Sequence, residues 1–152
     1  MVLTNIQRLH KQERTMQQPN IGDNIDNKMA IELCKYYGLN YLVDRITTHS
    51  DSFFVWKFDG ASMIPDGFFS DVFNIPNLTE IALQHDLKYA YGERGNKEEK
   101  LRADLEFELA ILNDGASVEM AKMMFAAVDL CGDGFIRTDF SWGFARVDSL
   151  NN

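Results

Sequence analysis

Two Asn-x-x-Glu signals, Asn77 to Glu80 and Asn96 to Glu99, constrain this chain more than any other feature. An asparagine at the N-cap accepts a hydrogen bond from the backbone of the first helical turn. A glutamate three residues on can reach back to the cap and suits the positive end of the helix dipole. An apolar rhythm follows each signal, and each rhythm stops at glycine: Gly92 after the first, Asp114-Gly115 after the second. The spacing predicts helices over 78–91 and 97–113, joined by a turn so short that the two must run antiparallel. Ser117 is placed to cap a third helix ending at Gly132, with Val118, Ala121, Met124, Phe125 and Val128 at helical spacing. A hydrophobic fraction of 45%, in a chain of 152 residues, is enough for one domain with a single core.

The first half has a different texture. Residues 1–25 are polar and rich in Gln and Asn, the composition of a mobile N-terminal arm, so the domain is expected over 26–152. Met29, Ile31, Leu33, Cys34, Tyr36 and Tyr37 predict a helix over 26–37 that Gly38 ends, followed by a shorter helical segment over 39–46. The run Phe53, Phe54, Val55, Trp56, Lys57, Phe58 is aromatic, β-branched and short, which favours a strand. Segment 59–76 carries Gly60, Pro65, Gly67 and Pro76 and is expected to be an irregular loop. Met63, Met120, Met123 and Met124 are expected to fill core gaps rather than form an adaptable binding face. The predicted class is mainly α: an antiparallel helix pair plus a third helix, with a short strand and one irregular loop.

Charge and composition exclude several functions. A net charge of −8 opposes a nucleic-acid backbone or a strongly anionic bilayer as partner. No run approaches the roughly 18 apolar residues of a membrane-spanning helix, so no transmembrane segment is expected. The N-terminus lacks the basic-then-apolar pattern of a secretory signal. Cys34 and Cys131 form no C-x-x-C pair. Synthesis in a reducing cytoplasm is the expectation, with any export by a route that needs no signal peptide.

Chemistry concentrates on the helix pair. Leu78, Ala82, His85 and Tyr89 fall three or four apart, so a histidine stands in the middle of an otherwise apolar stripe. Asp86 is about 100° further round the helix. On the next helix Leu101, Leu105, Leu109 and Leu112 share one side, with Phe107 and Ile111 nearby, and Asp104 sits among apolar residues where a lone charge is costly. An antiparallel pairing brings His85 and Asp104, nineteen residues apart, within reach of each other. Two uses of such a pair are open. It can be a buried polar contact that fixes helix register. Alternatively the carboxylate fixes the imidazole tautomer and leaves the other ring nitrogen as a general base. No G-x-S-x-G elbow is present, so the group such a base activates is water.

Activated water needs a partner that stabilises the developing oxyanion. Asp59-Gly60-Ala61-Ser62 offers a carboxylate and a backbone carbonyl that glycine lets approach an ion closely. With Asp86 these are hard oxygen donors, which suit calcium better than zinc. Asp66 and Asp71 in the same segment are taken as turn residues.

These residues also carry a resemblance. W-x-x-D-G-A-S-x-x-P-D (Trp56 to Asp66), H-D-x-x-Y (His85 to Tyr89), R-x-D (Arg102 to Asp104) and A-x-x-M-F-A-A-V-x-x-x-G (Ala121 to Gly132) resemble the secreted phospholipase A2 family, in its prokaryotic and fungal type. The same set is similar to small bacterial and phage proteins of unassigned function with D-G-A-S and H-D signatures. The resemblance spans residues 56–132, half the chain. It implies a mainly helical enzyme in which His85 is the general base, Asp104 its orienting carboxylate and Tyr89 a support. It further implies a Ca²⁺ held by the Asp59 and Asp86 carboxylates and the Gly60 carbonyl. The implied reaction is hydrolysis of the sn-2 ester of a glycerophospholipid at a transiently bound membrane surface.

The chain departs from that family in three ways. Ala61 and Ala82 stand where members place the cysteines that join loop to helix, so that disulfide is absent. About five additional residues separate the loop from His85. The acidity opposes anionic lipid. Few protein ligands imply weak calcium binding, roughly 10⁻⁴ to 10⁻³ M. The alternative from another class is a phospholipase-like module that catalyses nothing and docks a protein partner. An HD-type phosphohydrolase is disfavoured because it needs several helix-borne histidines, and the other two, His10 and His49, are expected in the arm and in a loop. An EF-hand over 129–140 is excluded because Cys131 and Phe140 occupy ligand positions.

Overall fold

The computed structural model describes residues 16–49, 53–58, 60, 74–132 and 144. Among them are five helices and one two-stranded antiparallel sheet. Strand β1 (Asn24–Asp26) leads into α1 (Asn27–Tyr36) and α2 (Asn40–His49), followed by β2 (Val55–Lys57). Helices α3 (Leu78–Ala90), α4 (Lys97–Asn113) and α5 (Val118–Gly132) complete the order. The class is mainly α, and no helix among the described residues is long and apolar enough to cross a membrane.

The local signals act largely as chemistry dictates. Asp26 caps α1 by accepting from the Met29 amide at 2.8 Å. Gly38 takes a positive φ of 72° to turn the chain into α2. Asn96 accepts from the Glu99 amide at 3.0 Å and Ser117 from the Met120 amide at 3.1 Å, which starts α4 and α5. At α3 the expected cap is different: the Asn77 side chain makes no cap bond to its own helix. Its amide and its side-chain nitrogen both donate to the Asp114 carboxylate, each at 2.7 Å. The α4–α5 turn therefore holds the start of α3. Gly115 in that turn has φ 114°, and a Cβ there would lie 2.3 Å from the Asn74 carbonyl oxygen.

Residues 16–25, placed in the arm by composition, are packed on the body, while 1–15 lie outside the described residues. Ile25 pairs with Trp56 across the sheet, and both point into the core. The ladder continues through Gly22 N–H to the Phe58 carbonyl (2.7 Å) and Phe58 N–H to the Asp23 carbonyl (2.9 Å). Tyr37 donates its hydroxyl to Gln18 at 2.7 Å. A three-residue strand with one apolar side chain has almost no sequence signature, because its partner strand supplies the order.

Two apolar clusters share α3 as a wall. One joins Ile25, Leu33, Leu42, Trp56 and Phe58 to Leu83 and Leu87. The other joins Ile75 and Leu78 to Phe107, Ile111, Met120 and Met124. At about 1.5–3 kcal/mol for each large side chain buried, these clusters carry most of the driving force for folding. Most of the α4 leucine stripe lies outside both: Leu101, Leu105 and Leu109 are 47%, 48% and 58% exposed, and only Leu112 packs against the second cluster. Helix α4 instead turns Lys100, Ala103, Asp104, Phe107 and Ile111 inward. Two polar side chains occupy the buried face because they meet partners there.

Candidate functional site

Helices α3, α4 and α5 meet around a buried polar cluster. On α3 the predicted stripe of Leu78, Ala82, His85 and Tyr89 is buried throughout. The His85 ring lies 4.2 Å from the Tyr89 ring and 4.9 Å from that of Phe107, centroid to centroid, so apolar surface fixes its plane. Lys88 and Glu106, paired at 2.5 Å, mark the antiparallel register of α3 and α4 nearer the surface.

Asp104 is fully buried and saturated with donors. Its Oδ1 accepts from His85 Nε2 at 2.9 Å and from the Tyr89 hydroxyl at 2.5 Å. The same hydroxyl is 3.2 Å from the Val128 carbonyl oxygen on α5. Oδ2 accepts from the Lys100 ammonium at 3.1 Å, and that ammonium also donates to Asp129 Oδ1 at 2.8 Å and to the Asp129 carbonyl at 3.1 Å. A buried anion is tolerable only when its lone pairs are met, and here three side chains meet them. Burial pulls the Lys100 ammonium towards losing its proton. Hydrogen bonds to Asp129 and Asp104, and their charges, outweigh that pull and leave its pKa above the ordinary lysine value.

Because the carboxylate only accepts, His85 Nε2 carries the ring proton, and in the neutral ring Nδ1 is the basic nitrogen. Nδ1 faces Asp86 Oδ1 at 4.0 Å. Asp86 is itself buried. An imidazole fixed in this tautomer, with its basic nitrogen on the side away from the orienting acid, is the arrangement a general base requires.

The structure brings His85, Asp104, Tyr89 and Asp86 together. Gly60 is buried with φ 70°, its backbone against the Ile21 side chain. Asp59, Asp66 and Asp71 lie outside the described residues. Among the described residues no group of three or more His, Cys, Asp or Glu is placed to hold a metal ion. The donors that fall within them, the Asp86 carboxylate and the Gly60 carbonyl, are hard oxygens of the kind calcium prefers.

Sequence reasoning missed Lys100 and Asp129. Lysine near the start of a helix normally belongs to the solvated face. The signal that was present is the i,i+4 spacing of Lys100 and Asp104. Phe144 was also missed: its ring meets Tyr89 edge-on at 5.4 Å and lies over Gly92, where a Cβ would come within 2.2 Å of it. Compared with protein-family models, curated proteins and solved structures, the chain matches none of them.

Proposed function

We propose that this chain is a calcium-dependent acyl-ester hydrolase acting on glycerophospholipid at the sn-2 ester. The observation that carries the reading is the single oxygen of Asp104 that receives both His85 Nε2 and the Tyr89 hydroxyl. In the proposed reaction His85 Nδ1 takes a proton from water as the water oxygen bonds to the ester carbonyl carbon. Asp104 stabilises the imidazolium formed at that moment, and Tyr89 keeps the carboxylate oriented. The same imidazolium then returns the proton to the departing alkoxide as the ester C–O bond breaks. The Asp59 and Asp86 carboxylates and the Gly60 carbonyl would hold a Ca²⁺, whose chemistry is to bind the lipid phosphate and polarise the ester carbonyl. Weak affinity for that ion implies that activity belongs outside the cytosol, after export of the chain.

A second reading is favoured by the seclusion of the ring: His85 is only 7% exposed, and its acid is tied into the Lys100–Asp129 cluster. On that reading the network is a structural lock in a module that docks a protein partner. Acyl release from mixed phospholipid vesicles separates the two. The hydrolase reading expects activity with millimolar Ca²⁺ that His85→Ala abolishes while the variant stays folded. Equal rates in both proteins exclude His85 as base. No hydrolysis of any ester, together with no rise in melting temperature on adding calcium, leaves the docking module.

A further inference from the structure

Lys100 is a buried cation in direct contact with the acid of the dyad, and the proposed chemistry gives it no step. We propose that Lys100 is a positioning residue of the site: its ammonium fixes Asp104 Oδ2, so that Oδ1 alone is presented to His85 and Tyr89. This inference rests on the hydrolase reading for its kinetic consequence, although the positioning itself does not.

The geometry supports it from three sides. A carboxylate has two equivalent oxygens and a broad torsion about Cβ–Cγ, so a histidine and a tyrosine on one oxygen do not by themselves hold the group in plane. The Lys100 contact at 3.1 Å occupies the other oxygen and removes that freedom. The ammonium is in turn held by two oxygens of Asp129, at 2.8 and 3.1 Å, and Asp129 belongs to α5. The lysine is thus anchored on a helix that bears neither His85 nor Asp104. It also supplies the only full positive charge in contact with Asp104 among the described residues, because the other two donors there are a neutral phenol and an imidazole. Without the ammonium on Oδ2, the carboxylate is free to turn about Cβ–Cγ, and its contact with His85 Nε2 no longer fixes which ring nitrogen carries hydrogen.

The test compares the wild-type chain with Lys100→Met, which keeps length and helix propensity but loses the charge, and with Lys100→Arg. ¹⁵N-labelled histidine reports the His85 tautomer at a pH where the ring is neutral, alongside thermal melting and vesicle hydrolysis. Wild type is expected to show Nε2–H only. Folded Lys100→Met is expected to show a mixture, with kcat lowered on the order of 10- to 100-fold and KM within about twofold, the size of effect typical of a lost supporting contact. Lys100→Arg is expected to return the Nε2–H form and most of kcat. A folded Lys100→Met with wild-type tautomer and kcat overturns the inference. Should Lys100→Met fail to fold, the wild-type protein decides: a cross-hydrogen-bond coupling from the Lys100 ammonium to the Asp104 carboxyl carbon supports the role, and its absence overturns it. A wild type that hydrolyses nothing overturns the hydrolase reading, while the tautomer measurement still decides the role of Lys100.

Discussion

Tyr89→Phe isolates the value of one hydrogen bond to the buried acid. Phenylalanine keeps the ring against His85 and Phe144, so no cavity opens and only the hydroxyl is lost. That hydroxyl donates to Asp104 Oδ1 at 2.5 Å, and Asp104 has no solvent with which to replace it. A hydrogen bond to a charged, buried acceptor contributes about 1.5–3 kcal/mol. In a chain of this size each kcal/mol moves the melting temperature by about 2–4 °C, so a fall of about 6 °C is expected. Tyr91→Phe is the control. The Tyr91 hydroxyl donates to Asn27 Oδ1 at 2.9 Å and accepts from Trp56 Nε1 at 3.4 Å, both neutral partners. Its loss is expected to cost about 0.5–1.5 kcal/mol, or roughly 3 °C. Differential scanning calorimetry at neutral pH reads both. If Tyr89→Phe falls no further than Tyr91→Phe, the idea that Asp104 depends on the phenol is refuted, and with it the oriented-acid account of the site.

Other expectations follow from the same contacts. Gly115→Ala forces a side chain into a φ of 114° and against the Asn74 carbonyl, and is expected to destabilise by about 2–4 kcal/mol in urea unfolding. Leu105→Gln, on the exposed stripe, is expected to fall within about 0.5 kcal/mol of wild type, whereas Phe107→Ala on the buried face of α4 is expected to lose about 3–5 kcal/mol. Burial raises the Cys34 thiol from 9.0 to about 12. The folded protein therefore holds that proton more tightly than the unfolded chain, so the contribution is complete below pH 9 and is lost as pH rises towards 12. In a Cys131→Ser background, unfolding free energies from urea titrations at pH 8.5 to 10.5 should fall less steeply for Cys34→Ala than for the parent, by up to about 1.4 kcal/mol per pH unit.

The helix pair and its dyad are legible because their signals are local. Asn96, Ser117, Gly38 and Gly115 each act within a turn of themselves, and a helix wheel alone places His85 beside Tyr89. What is not legible depends on residues distant in sequence. Asn77 bonds to Asp114 rather than capping α3, and β1 exists only because Trp56 and Val55 pair with it. The α4 leucines form a good apolar stripe, yet the helix buries the neighbouring face because Asp104 and Lys100 find a histidine, a tyrosine and an aspartate there. Hydrophobic counting weighs one helix at a time, and most partners of these buried charges, His85, Tyr89 and Asp129, are on other helices.

The clasp between Asn77 and Asp114 has a consequence for the segment that precedes α3. Its downstream end is fastened by residues 74–77 to the α4–α5 turn, and its upstream end at Phe58 is fastened to Asp23 and Gly22. The start of α3 therefore cannot shift without carrying the α4–α5 turn with it, and the helix that walls both apolar clusters is braced at its first turn by a residue thirty-seven positions away.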